Sequence, residues 1–245
     1  RRALGPLADA LDVRLALGVP PMCGYGSSAA VAVALLRAAA AWRGRAPPGR
    51  TKLWRAALEV ERTAHAHPSG VDPAIVVWGE PIVFTRPPGA ERPTIRRQRV
   101  RGSAFVLAGW CGVHGGTRVS VSGLAALRAR RPVVVEAAMH TLAEAARAGA
   151  QGLASGDLAS TGHAMNLAHG VLAGLGLVQS DQIEAAVRAA RRAGALGAKM
   201  SGAGGTGGAW VALFDEERAA RRAARRLREG AGPVWVEALG GGGGD

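Results

Sequence analysis

Cysteine is nearly absent: Cys23 and Cys111 are the only two in 245 residues. That supports neither a disulfide framework nor a cysteine-built zinc site, and makes a reducing cytoplasm the default compartment. Long apolar runs are missing too. The longest candidate, residues 29–42, is alanine-dominated and too short to span a bilayer. Aromatic residues make up only 4% of the chain, and lysine is reduced to Lys52 and Lys199, so the net charge of +13 is carried almost entirely by arginine. Arginine, alanine and glycine are abundant together, as a genome-wide compositional bias produces. A basic surface attracts nucleotides or acidic metabolites. Nucleic acid is argued against by the scarcity of aromatics and by arginines spread over several helices rather than gathered in one reader motif. The charge is read as mostly solvated surface. Hydrophobic content of 48% indicates a globular chain, large enough for one large domain or two smaller ones.

What is present is organised around Pro20-Pro21-Met22-Cys23-Gly24-Tyr25-Gly26-Ser27-Ser28-Ala29-Ala30. Gly24 and Gly26 permit backbone angles that a side chain would block. Ser27 or Ser28 is then expected to cap a helix running to about Trp42, apolar nearly all round and therefore buried. A bend opening into a helix N-terminus favours an anion, phosphate above all. An ordinary glycine turn with a serine cap explains the same residues equally well.

Ahead of the bend, Leu11–Val19 reads as a strand. Behind it, Thr51 is expected to cap a second helix reaching about His65. Trp54, Ala57, Leu58, Glu61 and His65 share one of its faces. Glu61 is thus a carboxylate on a partly apolar stripe, suited either to a salt bridge or to a metal or substrate. In His65-Ala66-His67-Pro68-Ser69-Gly70-Val71-Asp72-Pro73 the helix breaks, and Asp before Pro is commonly a turn former. His65 and His67 read as turn residues, because no third metal ligand is placed nearby. Ile75–Trp78 and Ile82–Thr85 are expected strands, and Pro87–Pro93 is the clearest linker, placing a domain boundary near residue 100. The second half predicts a buried strand over Ser103–Trp110, then a loop with Gly112, Gly115, Gly116 and Thr117. Helices follow over 133–150, 157–175 and 181–193, the last with an Asp181/Glu184 capping box. A glycine-rich loop over 199–208 leads to a strand, Ala209–Phe214. An arginine-dense helix from Asp215 to about Arg228, a strand over Pro233–Leu239 and a glycine tail, expected to be disordered, complete the chain. No internal repeat is present.

Three stretches in fixed order resemble the GHMP-type small-molecule kinases, the group of galactokinase, homoserine kinase, mevalonate kinase and phosphomevalonate kinase. The bend is similar to the family's P-x-G-x-G-L-G-S-S-A-A phosphate loop. Glu61-Arg62 through His65, Pro68-Ser69-Gly70-Val71-Asp72 and Trp78-Gly79 resemble the signature of the mevalonate kinase branch. Gly194-Ala195-Leu196-Gly197-Ala198-Lys199-Met200-Ser201-Gly202-Ala203-Gly204-Gly205 resembles the group's third motif, with Met165-Asn166 in the expected place upstream. The resemblance implies an α+β, two-domain architecture: a ribosomal-S5-domain-2-like N-terminal domain over residues 1–100, here incomplete, and a ferredoxin-like α/β domain over 101–245.

It also implies roles. Met22, Cys23, Gly24, Tyr25, Gly26, Ser27 and Ser28 would cradle the ATP phosphates, and Ser28 with Glu61 would hold Mg²⁺. Asp72 would face the substrate hydroxyl as a base or an orienting group. Thr117 would touch substrate or the reacting phosphate, or simply cap a helix. Gly202, Ala203 and Gly204 would close over the nucleotide, and Lys199 would be a surface or supporting charge. The chain departs from the family at Met22, Tyr25, Pro73 and Thr206. Only about twenty residues precede the phosphate loop, and they do not match the lysine-containing strand–turn the family carries there, so a fragment or a mis-set gene start is expected. The activity implied is ATP-dependent phosphorylation of mevalonate, with no membrane partner. The alternatives are a related kinase acting on another small hydroxylated acid, a truncated or degenerate nucleotide-binding module without turnover, and, more weakly, a basic nucleic-acid binder. A homodimer is left open.

Overall fold

The computed structural model describes residues 12–18, 24–64, 68–87, 89, 90, 92–112, 117–202, 204–231 and 233–240. The chain divides into two compact units. One takes Gly26–Arg97 with the described residues ahead of the bend; the other takes Gln98 onward together with Gly24 and Tyr25.

The first unit is three helices and a hairpin: α1 (Ser27–Trp42), α2 (Arg50–Ala64), α3 (Val71–Trp78), β1 (Ile82–Thr85) and β2 (Thr94–Arg97). Its core forms where the apolar stripes of the helices meet, at Ala32, Val33, Leu53, Trp54, Ala57, Leu58, Ala74 and Val77. The α2 face predicted from spacing is the buried one, and it takes Glu61 down with it. Several expectations fail here. Residues 12–18 are exposed and carry no strand. α1 buries one face only, and Trp42 stands 68% exposed at its end. Arg50 is already helical, so Thr51 lies inside the first turn of α2 rather than capping it.

Ile75–Trp78 is helix, not strand. Its β-branched run suits a pleated surface, but left-handed glycines bracket it at Gly70 (φ 88) and Gly79 (φ 66). Pro73, Ala74 and Val77 then fall on one buried helical face. The proposed linker is the loop of the β1–β2 hairpin, whose register pairs Ile82 with Arg97 and Thr85 with Thr94.

The second unit is a four-stranded antiparallel sheet in the order β4-β5-β3-β6, from β3 (Ala104–Cys111), β4 (Gly197–Ser201), β5 (Gly208–Phe214) and β6 (Val234–Leu239). Numbered within the unit that order is 2-3-1-4, the ferredoxin-like arrangement. The helices are α4 (Thr117–Arg130), α5 (Pro132–Ser155), α6 (Leu158–Gly174), α7 (Asp181–Arg192) and α8 (Glu217–Ala231). α7 and α8 cover one sheet face, enclosing Leu107, Met200, Trp210, Phe214, Ile183, Val187 and Leu227. A second cluster packs Ala104 and Leu213 of the sheet against Leu158 of α6. Gly109 is obligatory in β3: a Cβ there would sit 2.2 Å from Cζ2 of the fully buried Trp210 opposite it.

Sequence reading missed α4, β2 and β4, the last partly covered by the presumed glycine loop. The capping box at Asp181 is also corrected. Ser180 is the N-cap of α7 and accepts from the Ile183 N–H, leaving Asp181 in the first turn. The expected tail lies beyond the described residues except for Gly240.

Candidate active site

In the first unit, the start of α1 is made by backbone alone. Gly26 holds the N-cap position in the left-handed conformation (φ 67, ψ 29) and supplies no side-chain cap. Ser27 and Ser28 are the first helical residues, so neither caps the helix as expected. Ser28 instead turns its hydroxyl sideways and donates to Glu61 Oε1 at 2.6 Å. Glu61, on α2, is 5% exposed. A buried carboxylate needs hydrogen-bonding partners, and the serine hydroxyl is one of them.

The Pro-Ser-Gly-Val-Asp turn is fixed from below by Trp54, whose indole N–H donates to the Gly70 carbonyl at 2.9 Å. A Cβ on Gly70 would lie 3.2 Å from the same ring. The turn places Asp72 in the first turn of α3, where the helix dipole favours a negative charge. Asp72 is exposed and packs beside the backbone of Gly26, so close that a Cβ on Gly26 would come within 3.3 Å of its own. Gly26, Ser28, Glu61 and Asp72, separated by up to half the unit in sequence, are thereby gathered around one helix start.

A hydroxyl and a carboxylate are hard oxygen donors of the kind Mg²⁺ accepts when phosphate and water supply its other ligands. Among the described residues no group of three or more His, Cys, Asp or Glu side chains gathers as a metal site. Ser28 and Glu61 therefore fit a phosphate-bound Mg²⁺ better than a cation caged wholly by protein.

Within the second unit, Gly24 (φ 84) packs against Ala209, and the hydroxyl of Tyr25 donates to the Gly109 carbonyl while its ring meets Trp235 edge-on at 5.8 Å. Tyr25, a departure from the family's leucine, thus anchors the bend through a hydrogen bond that leucine could not make. Gly202 (φ 82) lies near Gly24, with the Gly24 carbonyl 3.9 Å from where its Cβ would be. Gly204 has a packing duty of its own: a Cβ there would fall 2.0 Å from the Leu177 carbonyl oxygen. Thr117 is the first residue of α4. Met22, Cys23, Ala203, His65 and His67 lie outside the described residues.

Lys199 is half-buried on β4. Its ammonium donates to the Met200 carbonyl at 2.7 Å, and burial lowers its pKa from the usual lysine value. Sequence reasoning also passed over His169, buried on α6, and the roles of Asn166 and Arg191 beside it. The one available signal was the Met165-Asn166 pair preceding it.

Comparison with known proteins agrees with this geometry. The description of the N-terminal domain of GHMP kinases fits residues 1–80, and that of the GHMP kinase C-terminal region fits residues 142–232. The mevalonate kinase of Aeropyrum pernix is 37% identical over 202 residues, covering 81% of this chain and 59% of that protein. The mevalonate kinase of Thermococcus gammatolerans is 30% identical, covering 85% and 61%. The chain thus spans about three-fifths of the length of the curated relatives it matches. Among solved structures, L. major mevalonate kinase in complex with R-mevalonate superposes with a TM-score of 0.79 at 23% identity, covering 90% of this chain and 67% of that one. The phosphomevalonate kinase of Streptococcus pneumoniae gives 0.72 at 16% identity, covering 90% and 72%. Two family domains in sequence, the ferredoxin-like strand order and the glycine-led helix start lead to one conclusion: the chain belongs to the GHMP kinase family.

Proposed function

We propose that this chain is the catalytic part of an ATP-dependent kinase that phosphorylates the hydroxyl group of mevalonate, an early step toward isoprenoid precursors. The observation that carries the reading is the convergence of Gly26, Ser28, Glu61 and Asp72 on the uncapped start of α1. The mevalonate kinases among its relatives support mevalonate as the substrate.

In this reading the backbone N–H groups from Met22 to Ser28 bind the ATP phosphates, as a helix N-terminus and left-handed glycines equip them to do. Ser28 and Glu61 would hold Mg²⁺. When bound, the cation neutralises charge on the phosphate oxygens. Asp72 orients the substrate hydroxyl and takes its proton as the oxygen bonds to the γ-phosphorus. The bond from that phosphorus to the bridging oxygen breaks, and ADP leaves. Phosphoryl transfer asks the protein mainly for positioning and charge stabilisation, so one carboxylate near the hydroxyl is chemically sufficient. Thr117 is assigned to the substrate, and Gly202, Ala203 and Gly204 to the nucleotide. The domain division at residue 100 belongs to the same reading.

The test is ADP release by the purified chain with ATP and Mg²⁺ against a panel of mevalonate, phosphomevalonate, homoserine and galactose. Mevalonate should give the highest kcat/KM. ATP binding without ADP release on any of the four would sink the kinase reading, and preference for another panel member would replace the substrate.

A further inference from the structure

The free edge of β4 shows an arrangement the site above does not use. β4 is the outermost strand of its sheet, and its pairing register joins Lys199 to Val211 and Ala198 to Ala212 of β5. In an antiparallel pair, alternate residues turn their N–H and C=O groups away from the partner. Here those residues are Ala198 and Met200, and each of their four outward groups meets a side chain. The Ala198 N–H donates to Asn166 Oδ1 at 3.0 Å, and its carbonyl accepts from Arg191 Nη2 at 2.7 Å. The Met200 N–H donates to His169 Nδ1 at 3.2 Å, and its carbonyl accepts from Lys199 Nζ. Asn166 also donates to the Leu196 carbonyl at 3.3 Å. Side chains from α6 and α7, with Lys199 of β4 itself, thus stand in for a neighbouring strand.

α6 can reach the edge because glycines let the backbones touch. A Cβ on Gly162 would lie 2.4 Å from the Leu196 carbonyl group, and one on Gly197 only 2.1 Å from the Gly162 carbonyl oxygen. Directly after β4 the chain runs through Gly202, Gly204, Gly205 and Gly208, all at positive φ. Such a segment has little stiffness of its own. Its position is set by its anchors: Met200 at one end, the Gly205 N–H on the Leu177 carbonyl at 2.9 Å, and β5 at the other end.

We propose that His169, with Asn166 and Arg191, is a positioning clip that holds β4 and so sets the placement of the Gly202–Gly208 segment for nucleotide binding. The consequence for nucleotide rests on the function proposed above; the clip itself does not.

The chemistry makes the clip dependent on protonation. Because Nδ1 accepts the Met200 N–H, the ring proton belongs on Nε2, which faces Glu184 Oε1 of α7 at 3.4 Å. A second proton would turn Nδ1 into a donor aimed at another donor. Glu184 favours that proton and is itself shared with Arg188 at 3.6 Å; Arg191 on α7 and Lys199 on β4 oppose it. The ring is 4% exposed, and burial is the largest influence, holding its pKa below the ordinary 6.5. The clip is therefore closed at neutral pH and opens as pH falls below the usual histidine range.

The experiment compares the full chain with His169→Ala and His169→Asn, the latter offering a non-titrating acceptor to the same N–H. Hydrogen exchange at the Met200 amide and titration with a fluorescent ATP analogue are read across pH, with steady-state kinetics beside them. His169→Ala should lower Met200 protection about tenfold or more and weaken nucleotide binding by a similar factor, with the KM for mevalonate little changed. His169→Asn should restore both and remove the loss of protection that acidification causes in the wild type. Unchanged Met200 protection in His169→Ala, or an equal rise in both KM values, overturns the proposal. So does a His169→Asn chain that keeps the wild-type pH response. If the wild type turns over none of the panel, the kinase reading falls, while exchange and direct nucleotide titration still decide the clip.

Discussion

Two helix starts in each unit are built in opposite ways. In the second unit, α6 begins with Asp157, whose carboxylate accepts from the Ser160 N–H, and α7 begins with Ser180 accepting from Ile183. Those ends are finished by their own side chains. In the first unit, α1 and α3 begin at left-handed glycines, Gly26 and Gly70, with no side-chain cap. The hydroxyl that could have capped α1, Ser28, is committed to Glu61. A capped helix end has spent its strongest donors on itself; a glycine-led end keeps its backbone donors and dipole for something else. The contrast sets α6 and α7, which finish their own ends, against α1 and α3, whose open ends bear Ser28 and Asp72 of the candidate site.

Four substitutions probe that contrast, beginning with the largest effect. Glu61→Gln keeps the shape of the Ser28 contact but removes the charge, and turnover should fall about 100-fold or more, with the Mg²⁺ concentration for half-maximal rate raised. Retention of full rate at low Mg²⁺ would remove Glu61 from the site. Gly26→Ala should weaken ATP binding by about tenfold and destabilise the fold by about 1 kcal/mol, since the residue must hold positive φ and its methyl presses on Asp72. Isothermal titration and urea unfolding read the two effects separately. Ser180→Ala should do the reverse, lowering stability by about 1 kcal/mol while leaving ATP affinity alone.

The smallest effect concerns Asp157. Hydrogen bonds from Ser160, hydroxyl and then backbone, lower its pKa from the usual 3.8. A lowered carboxylate pKa means that its contribution is present above 3.8 and disappears as pH falls through the lower folded value. Asp157→Asn should therefore lower the urea midpoint slightly at neutral pH and flatten its fall on the acid side.

How far the sequence disclosed all this follows the same division. Gly26, Ser28, Glu61 and Asp72 stood out in the sequence only as a set, because each stretch alone also reads as an ordinary turn or salt bridge; the fold brings the four together around one helix start. α2 was legible because its apolar residues recur at helical spacing and carry Glu61 inward. Ile75–Trp78 misled because β-branched residues favour strands when judged alone, whereas the glycine boundaries and the packing of Val77 decide for helix. β4 was hidden because glycine and lysine in Gly197–Ser201 have no strand preference of their own; its pairing with β5 and the side chains at its edge make it a strand. The capping of α1 was misassigned because a serine after a glycine is locally a good cap, and only the position of Glu61 on α2 shows where the hydroxyl goes. What was missed depends on partners remote in sequence.

The most direct test of the kinase assignment is ADP release by the wild-type chain and by Asp72→Asn, at saturating ATP, Mg²⁺ and mevalonate. The wild type should release ADP in a mevalonate-dependent way, and Asp72→Asn should lose about 1,000-fold of that rate with ATP binding retained. Turnover that survives Asp72→Asn intact would contradict the assignment.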